Sequence, residues 1–426
     1  MKVLIVGSGG REHALAWKIA QSPLCETMYA APGSPGIAEH AECVPIQADD
    51  IEGIVGFAAE NGVHLVVVGP EDPLAMGLGD ALRKANLLCF GPGAEGARIE
   101  ADKAYAKNLM RSVSVPTAEG RVFTDFRKAK DYVLARDHGV AVKAVGLAKG
   151  KGVVVCPEAY QAVKPLEQMM REKIFGDAGN AVIIEDMLVG QEATVLALCD
   201  GKTILPMPAL QDHKPIGDGD TGANTGGMGA YSPVPVISSE IMSRVEKEIL
   251  VPIVDGMRRD FGRYEGVLYV GLMLTAAGPK VIEFNCRFGD PECQPLVMKM
   301  TGDLLAAMLA VAEHKLEAAE LEFDDRSSVC VVMASGGYPD SYEKGHEISG
   351  IVDAEALGEV KVFHAGTAIA DGKLVTNGGR VLGVTALGDT VADAQKLAYQ
   401  AVEKIHWQGC YYRKDIAGKA IEIAGE

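Results

Sequence analysis

One apolar stretch that runs into a charged loop carries the residues best suited to chemistry. The segment 281–292 reads VIEFNCRFGDPE. Side chains two residues apart on a strand share a face, so Glu283 and Asn285 would point away from the core that Ile282 and Phe284 enter. A carboxylate beside an amide oxygen suits a hard cation such as Mg²⁺ that bridges phosphates. Taken alone, the segment fits a solvated strand end with salt-bridged loop charges equally well.

A second candidate is a lysine at a strand end, followed by a glycine-rich basic hairpin. Lys143 lies in the apolar run 140–144, and the sequence GLAKGKG follows at 146–152. A lysine on a strand would be held rigidly toward phosphates, and the hairpin could close over them with backbone N–H groups and Lys151. The order differs from a Walker A loop, because no Gly-Lys-Ser/Thr opens a helix. A solvated surface turn is the alternative.

The third candidate places an acid on each side of an apolar connection. Glu185 ends an apolar run, and Glu192 follows the connection DMLVGQ. Backbone that follows a strand can hydrogen-bond an adenine edge, and Glu192 could accept from ribose hydroxyls. Two exposed acids flanking a turn are the alternative. Further along, the polar, glycine-rich segment 211–236 suits a substrate-binding loop, in which His213 is as compatible with a structural role as with a catalytic one.

The glycine turn at 7–10 lies between an apolar run and a helical pattern, where backbone N–H groups favour an anion. A dinucleotide is disfavoured, because Glu12 replaces the last glycine of G-x-G-x-x-G and the second strand ends in APG without an acid. A phosphate or phosphosugar fits better, and a tight turn without a ligand remains possible.

The elements around these residues indicate several domains. Apolar runs alternate with helical patterns over the first 100 residues, which predicts a parallel sheet flanked by helices. A smaller block with strands at 140–144, 152–156 and 181–185 follows. Residues 211–236 are predicted to be a long loop, 317–326 an acidic linker, and 328–426 a compact mixed domain.

The composition limits the partners. The net charge of −17 argues against a nucleic-acid partner, which would require a basic patch. Nine scattered cysteines indicate reduced thiols of the cytoplasm rather than a disulfide framework. The first ten residues lack a signal-peptide cleavage site, and no apolar run approaches the ~18 residues of a membrane span. We therefore expect a cytoplasmic protein without a membrane partner.

Taken together and in this order, the segments resemble the ATP-grasp ligases, most closely the glycinamide ribonucleotide synthetase family. The resemblance covers essentially the whole chain, and its most specific parts are LQDHKPIGDGDTGANTGGMGAYSP and EFNCRFGDPE. It implies a multidomain α/β and α+β fold. A Rossmann-like N-terminal domain would span 1–101, and an ATP-grasp domain 102–326 with a lid at about 123–190. A small mixed α+β domain would span 327–426.

The resemblance also implies a reaction. ATP would convert glycine to glycyl phosphate, and the amine of 5-phospho-β-D-ribosylamine would then displace phosphate. The products would be glycinamide ribonucleotide, ADP and phosphate, in purine biosynthesis, and the enzyme would be a monomer that acts on small molecules alone.

Family roles transfer to this sequence by position. The resemblance assigns ATP contacts to Lys103 and Lys143, to which the hairpin adds Lys151, and an adenosine pocket to Glu185, Met187, Leu188 and Glu192. Mg²⁺ or Mn²⁺ would be held by Glu283 and Asn285. Glycine and the phosphoribosyl group would meet Gly9, Gly10, Asp212, Lys214, Arg287 and Asp290, and Lys143, Arg287 and Asp212 would be the catalytic groups.

Four positions depart from the usual family pattern: Val145 and Lys149 in the lid hairpin, Gln191, and Cys293. Two other functions remain open. One is a related ATP-grasp enzyme that activates bicarbonate or formate instead of glycine. The other is a nucleotide-binding protein on the same fold that does not catalyse a reaction.

Overall fold

Four β-sheets of at least four strands organise the chain in a computed structural model, which describes residues 1–148 and 151–425. Lys149, one of the departures from the family pattern, lies outside the described residues. The α/β and α+β multidomain fold predicted from the sequence is confirmed.

The N-terminal domain is a parallel sheet with the strand order β3-β2-β1-β4-β5. Its central strands read as continuous apolar runs because helices cover both faces of the sheet. The glycine turn connects β1 to α1, as the sequence predicted. The elements are β1 Lys2–Gly7, α1 Gly10–Ile19, β2 Thr27–Pro32, β3 Glu42–Cys43, α2 Ile51–Glu60, β4 Leu65–Val68, α3 Glu71–Ala75, α4 Leu78–Lys84 and β5 Leu88–Phe90.

Two helices, α5 Ala94–Ala101 and α6 Lys103–Ser112, lead to a small antiparallel domain that we call the lid (residues 120–186). Its strand order is β6-β9-β7-β8, and its helices pack on the sheet to form a hydrophobic core of their own. A separate core allows the lid to move as a unit. The elements are β6 Gly120–Phe123, α7 Phe126–Leu134, β7 Val140–Ala144, β8 Val153–Cys156, α8 Val163–Met170 and β9 Val182–Asp186.

The larger ATP-grasp subdomain follows, with an antiparallel sheet in the order β11-β10-β16-β17. A π-helical turn at Glu246–Leu250 joins α9 to α10. The elements are β10 Gln191–Asp200, β11 Ile204–Pro206, β12 Gln211–Asp212, β13 Pro215–Gly217, β14 Thr221–Asn224, β15 Gly229–Ser232, α9 Ser239–Val245, α10 Val251–Asp260, β16 Glu265–Thr275, β17 Gly278–Asn285, α11 Cys293–Lys299 and α12 Leu304–Ala312.

The C-terminal domain is built on a six-stranded sheet in the order β12-β15-β18-β22-β19, in which β23 also pairs with β18. Helix α14 packs against β18 and β22. The elements are β18 Ser327–Ser335, α13 Ile351–Glu355, β19 Val360–His364, β20 Thr367–Ala370, β21 Lys373–Thr376, β22 Arg380–Gly388, α14 Val391–Val402, β23 Cys410–Tyr411 and α15 Gly418–Ala424.

The prediction of a long loop at 211–236 was wrong, because this segment contains four short strands. β12 and β15 extend the C-terminal sheet through β18, whereas β13 and β14 pair with each other as a hairpin. Strands of two to four residues with many glycines leave no periodic pattern, and the partner β18 lies about 100 residues away in sequence. The C-terminal domain therefore holds part of the ATP-grasp segment directly.

Within the described ranges, none of the helices combines the length and the apolar character needed to cross a membrane.

Candidate active site

A cavity of about 600 Å³ is lined by residues from all parts of the fold. Helix α6, the lid and β17 all contribute charged groups, and Arg11, Glu71 and Arg380 reach it from the two end domains. Among the residues predicted from the sequence, those that line this single space are Lys103, Lys143, Glu185, Met187, Leu188, Glu192, Asp212, Lys214, Glu283, Asn285, Arg287 and Asp290.

A buried carboxylate holds two lysines on one side of the cavity. Lys143 Nζ lies 2.7 Å from Glu185 Oε2, and Lys107 Nζ lies 2.5 Å from Glu185 Oε1. Lys143 also donates to Ile282 O at 2.8 Å, which ties the lid to β17. Burial would raise the pKa of Glu185, but the two ammonium groups outweigh it and lower the pKa. The carboxylate therefore stays ionised and fixes Lys143 in place.

Lys103 is positioned by the start of helix α6. Asp102 Oδ1 accepts from Ala104 N and Tyr105 N at 3.0 Å, which caps the helix at the residue before this lysine. Lys103 Nζ donates to Gly146 O of the lid hairpin at 3.2 Å. Burial lowers its pKa, against the attraction of Glu283.

Glu283 and Asn285 lie two residues apart on β17 and both line the cavity. The prediction that Ile282 enters the core was wrong, because the strand has an irregularity at this residue, which is only half-buried and lines the cavity as well, whereas Phe284 packs in a core. Glu283 Oε1 lies 3.0 Å from Lys214 Nζ, and this ion pair lowers the pKa of Glu283 to about 2. In the orientation that satisfies its neighbours, the Asn285 amide donates to Glu100 Oε1 at 3.0 Å and to Phe284 O at 3.1 Å. The Asn285 carbonyl oxygen then remains for a ligand.

Arg287 is held between two acids that the sequence analysis did not select. Its Nη2 lies 2.7 Å from Glu100 Oε1, and its Nε lies 3.1 Å from Glu71 Oε2. Burial would lower the pKa of Arg287, but the two carboxylates raise it well above its ordinary value. The guanidinium is therefore a permanent, oriented cation at the cavity wall.

Asp290 joins the N-terminal and C-terminal domains at the edge of the cavity. Arg380 Nη1 donates to Asp290 O at 2.6 Å and to Gly226 O at 2.6 Å, and Arg380 Nη2 lies 3.6 Å from Asp290 Oδ2. A side chain added at Gly9 would come within 3.7 Å of Asp290 Oδ2, and one added at Gly10 within 2.8 Å of Gln294 Nε2. The glycine turn thus approaches this edge without lining the cavity.

Glu12 partly fills the turn that the sequence analysis considered for an anion. Its Oε2 accepts from Gly9 N at 2.7 Å, and its Oε1 lies 2.6 Å from Arg11 Nε. The carboxylate therefore takes up one of the N–H groups that a phosphate would otherwise use.

Asp212 is a carboxylate with an unsatisfied oxygen. Its Oδ1 is buried without a hydrogen-bond partner in the described part of the chain. Burial and the nearby Glu292 raise the pKa of Asp212 well above its ordinary value. Glu292 itself accepts from Tyr269 Oη at 2.8 Å. A raised pKa makes this carboxyl group a stronger base than an ordinary aspartate.

Lys151 and His213, two residues considered in the sequence analysis, do not line the cavity. Lys151 Nζ donates to Pro339 O of the C-terminal domain at 2.9 Å and is exposed, so its predicted contact with phosphates stays a prediction. His213 follows β12 and is buried, and burial lowers its pKa to about 4. It does not line the cavity, and its ring nitrogens have no hydrogen-bond partner in the described part of the chain, so the structure supports neither role considered for this residue.

Sequence reasoning missed Lys107, Glu71, Glu100, Tyr269 and Arg380. Lys107 could have been found, because it lies four residues after Lys103 on one face of a helix. The other four reach the cavity only through contacts between distant segments, so no local pattern identifies them.

Family models match the chain in three consecutive parts, all of phosphoribosylglycinamide synthetase. The N domain matches residues 1–100, the ATP-grasp (A) domain 101–293 and the C domain 328–419.

Individual proteins match over nearly the full length. A phosphoribosylamine–glycine ligase of Rhodopirellula baltica is 52% identical, over 99% of this chain and 98% of the relative. The crystal structure of the phosphoribosylamine–glycine ligase of Thermotoga maritima has a TM-score of 0.86 at 32% identity, covering 98% of this chain and 100% of that one. A biotin carboxylase of Campylobacter jejuni has a TM-score of 0.74 at 14% identity, covering 99% of this chain and 95% of that one, and shares the fold alone.

Proposed function

The chain belongs to the phosphoribosylglycinamide synthetase family, and from this we infer that it is an ATP-dependent phosphoribosylamine–glycine ligase of purine biosynthesis. It joins glycine to 5-phospho-β-D-ribosylamine and releases ADP and phosphate. The observation that best supports the inference is that Lys143 of the lid and Glu283 of β17 face one cavity, linked by the bond from Lys143 to Ile282 O.

The reaction needs an activated carboxylate, because a free carboxylate is a poor electrophile. Transfer of the γ-phosphoryl group of ATP to glycine forms glycyl phosphate, and the phosphoribosylamine nitrogen then attacks the acyl carbon and expels phosphate. Lys143 stabilises the charge that develops on the phosphates, because Glu185 and Ile282 O hold its ammonium group in a fixed position. A closed lid excludes water, which would hydrolyse the acyl phosphate.

Glu283 and Asn285 fit a divalent cation, because a carboxylate and an amide oxygen on one strand face are hard ligands. When bound, such an ion neutralises charge on the β- and γ-phosphates. We propose Mg²⁺ or Mn²⁺ for this position. Lys214, which pairs with Glu283 at 3.0 Å, keeps the carboxylate ionised and aligned.

The adenosine end is assigned to the connection between β9 and β10. Met187 N already donates to Gly139 O at 2.9 Å, so we propose that the adenine edge meets the N–H of Leu188 and neighbouring carbonyl groups. Lys103 contacts the phosphates from helix α6, Lys151 adds to the phosphate contacts from the lid hairpin, and Glu192 accepts from the ribose hydroxyls.

The part of the cavity that would bind glycine and phosphoribosylamine, which we call the acceptor end, is assigned to the groups around β12 and the loop after β17. Lys214 and Arg287 attract the carboxylate of glycine and the phosphate of the ribosyl group. Asp212 accepts the proton that the attacking amine loses, a role supported by its raised pKa and its unpartnered oxygen. Asp290, with Gly9 and Gly10 beside it, borders the phosphosugar.

The test is ATP cleavage that depends on the substrate. Glycine with freshly prepared phosphoribosylamine should release ADP and phosphate, whereas bicarbonate or formate in place of glycine should give no ribonucleotide product. A carboxylated or formylated product would assign the chain to a related ATP-grasp enzyme instead. If ATP is not cleaved with glycine, bicarbonate or formate, the result would favour a nucleotide-binding protein that does not catalyse a reaction. A monomer in the cytoplasm stays a prediction from the sequence.

A further inference from the structure

One hairpin carries several residues of the acceptor end into the cavity. The segment 214–225, which we call the acceptor hairpin, contains β13 and β14 and is closed at its base by Thr225, whose N and Oγ1 both donate to Lys214 O at 2.8 and 2.7 Å. Lys214, Asn224 and Thr225 line the cavity, whereas residues 218–224 are exposed. The hairpin thus connects the cavity wall to the surface.

The hairpin has little internal support. Its strands contain three and four residues, and two-stranded hairpins are at best marginally stable in water. Its tip includes Gly219 and Asp220 at φ values of 64° and 56°. Contacts from outside the hairpin would therefore stabilise its conformation.

Arg413 supplies such a contact from the C-terminal domain. The side chain is fully buried, and its Nη1 donates to Pro215 O and to Asp220 Oδ1, both at 3.0 Å. Its Nε and Nη2 donate to the two oxygens of Asp415 at 2.8 and 2.7 Å. The guanidinium therefore joins the start of β13 and the tip of the acceptor hairpin to the C-terminal segment.

Neighbours of Arg413 complete the attachment. Asp415 Oδ2 accepts from Gly219 N at 2.8 Å, and Lys414 N donates to Asp218 Oδ1 at 2.8 Å. Tyr411 Oη donates to Ile216 O at 2.9 Å. The segment YYRKDI therefore makes hydrogen bonds to the hairpin along its length. No residue of this segment has a role in the proposed reaction.

The chemistry requires arginine at this position. A buried cation is tolerated only when it is fully paired, and the planar fork of arginine meets one carboxylate with two bonds while it bonds a carbonyl group with a third. The ammonium group of lysine cannot reach Asp415, Asp220 and Pro215 O in the same geometry.

We propose that Arg413 is a positioning residue for the acceptor end of the active site. It acts through the acceptor hairpin, which it fixes so that Lys214 stays beside Glu283 and Glu192, at 3.0 and 3.6 Å. The proposal rests on the proposed function, because it names glycine and phosphoribosylamine as the substrates that depend on the hairpin.

The test compares Arg413→Lys and Asp220→Asn with the parent in steady-state kinetics. Both variants should raise the KM for glycine or phosphoribosylamine by about 10- to 100-fold, the scale for misplaced binding groups. The KM for ATP should rise less, because the hairpin reaches the ATP end only through the pairs of Lys214 with Glu192 and Glu283. Asp218→Ala removes one surface contact of the hairpin and should give a smaller effect in the same direction. Arg326→Met is the matched control, since Arg326 pairs with Asp324 and Glu359 away from the hairpin.

Hydrogen exchange provides a second readout. The amides of residues 216–224 should exchange faster in Arg413→Lys and Asp220→Asn, and those of the lid should not change. A variant that is folded and keeps the parent KM for both acceptor substrates would overturn the proposal. Equal losses for all three substrates together with a lower melting temperature would also overturn it, because they indicate a general structural role.

Failure of the proposed function gives a different result. If the parent forms no ADP with glycine and phosphoribosylamine, the function is wrong, and hydrogen exchange still measures the attachment of the hairpin by itself.

Discussion

At the scale of single residues, the site depends on charged groups that share a partner. Glu185 pairs with both Lys107 and Lys143, and Glu100 pairs with Arg287 and faces the Asn285 amide. The sequence predicted four of these residues from their types and positions. It did not predict the pairs, because each pair joins segments that meet only in the folded chain.

Lys143 should contribute mainly to turnover. Lys143→Ala should lower kcat by roughly 10²–10³, the scale for losing one fixed group that stabilises charge. Lys151→Ala is the comparison. Because Lys151 is exposed and donates to Pro339 O, it is not fixed in place for the chemical step and should change the KM for ATP more than kcat. Steady-state rates of ADP formation measure both. If both variants match the parent, the phosphate-binding role predicted for residues 143–153 is wrong.

The metal ligands should affect activity without affecting the fold. Glu283→Gln and Asn285→Ala each remove or weaken an oxygen ligand and should nearly abolish ADP formation at every Mg²⁺ concentration. Circular dichroism should remain that of the parent, because both side chains face the cavity rather than a core. Activity close to that of the parent at saturating Mg²⁺ would show that these two residues do not hold the metal.

At the scale of elements, local patterns predicted the longer helices and strands well. The apolar run at 140–144 is β7 with those bounds, since Val140, Val142 and Ala144 are buried in the lid core. Helix α11, at Cys293–Lys299, was not predicted, because it follows a charged loop and includes a proline. The strands between 211 and 232 were missed because they are very short, and because the partner of β15, strand β18, lies far away in sequence.

The cap of helix α6 should link stability to ATP affinity. Asp102→Ala removes the side chain that accepts from Ala104 N and Tyr105 N, and should cost about 1 kcal/mol in the free energy of unfolding. Because Lys103 is the next residue, the KM for ATP should rise as well. Asp102→Asn keeps a capping oxygen and serves as the control. Urea unfolding and ADP kinetics test the prediction, and an unchanged midpoint in Asp102→Ala would contradict it.

At the scale of the whole molecule, the end domains meet through a histidine cluster. His13 Nδ1 accepts from His364 N at 2.8 Å, and the His13 ring lies 5.7 Å from that of His40. Burial lowers the pKa of all three histidines, and the neighbouring Lys361 lowers them further. Glu39 and Glu355, which pair with Lys361, oppose this effect on His40 and His364.

The free energy of unfolding should therefore decrease in mild acid. The folded state disfavours protonation of these histidines, so the unfolded state binds more protons once the pH drops below about 6.5. Stability is fully retained above that pH and declines as the pH falls toward 5. Glu71 and Glu283, with pKa values lowered to about 2, lose their contribution only below a pH of about 4.5.

Urea unfolding at pH 7.5, 6.5 and 5.5 measures this dependence. His13→Asn retains an acceptor for His364 N but does not titrate, so the loss of stability between pH 6.5 and 5.5 should be smaller than in the parent. An equal loss in the variant, or none in the parent, would contradict the role of the cluster.

The central claim is that ATP activates glycine as an acyl phosphate. Glycine labelled with ¹⁸O in both carboxylate oxygens tests it most directly, with mass analysis of the phosphate released during turnover with phosphoribosylamine. The expected result is one labelled oxygen in each phosphate, with ADP as the only nucleotide product, because the oxygen that attacks the γ-phosphorus leaves with it. Unlabelled phosphate, or AMP with pyrophosphate, would contradict the claim.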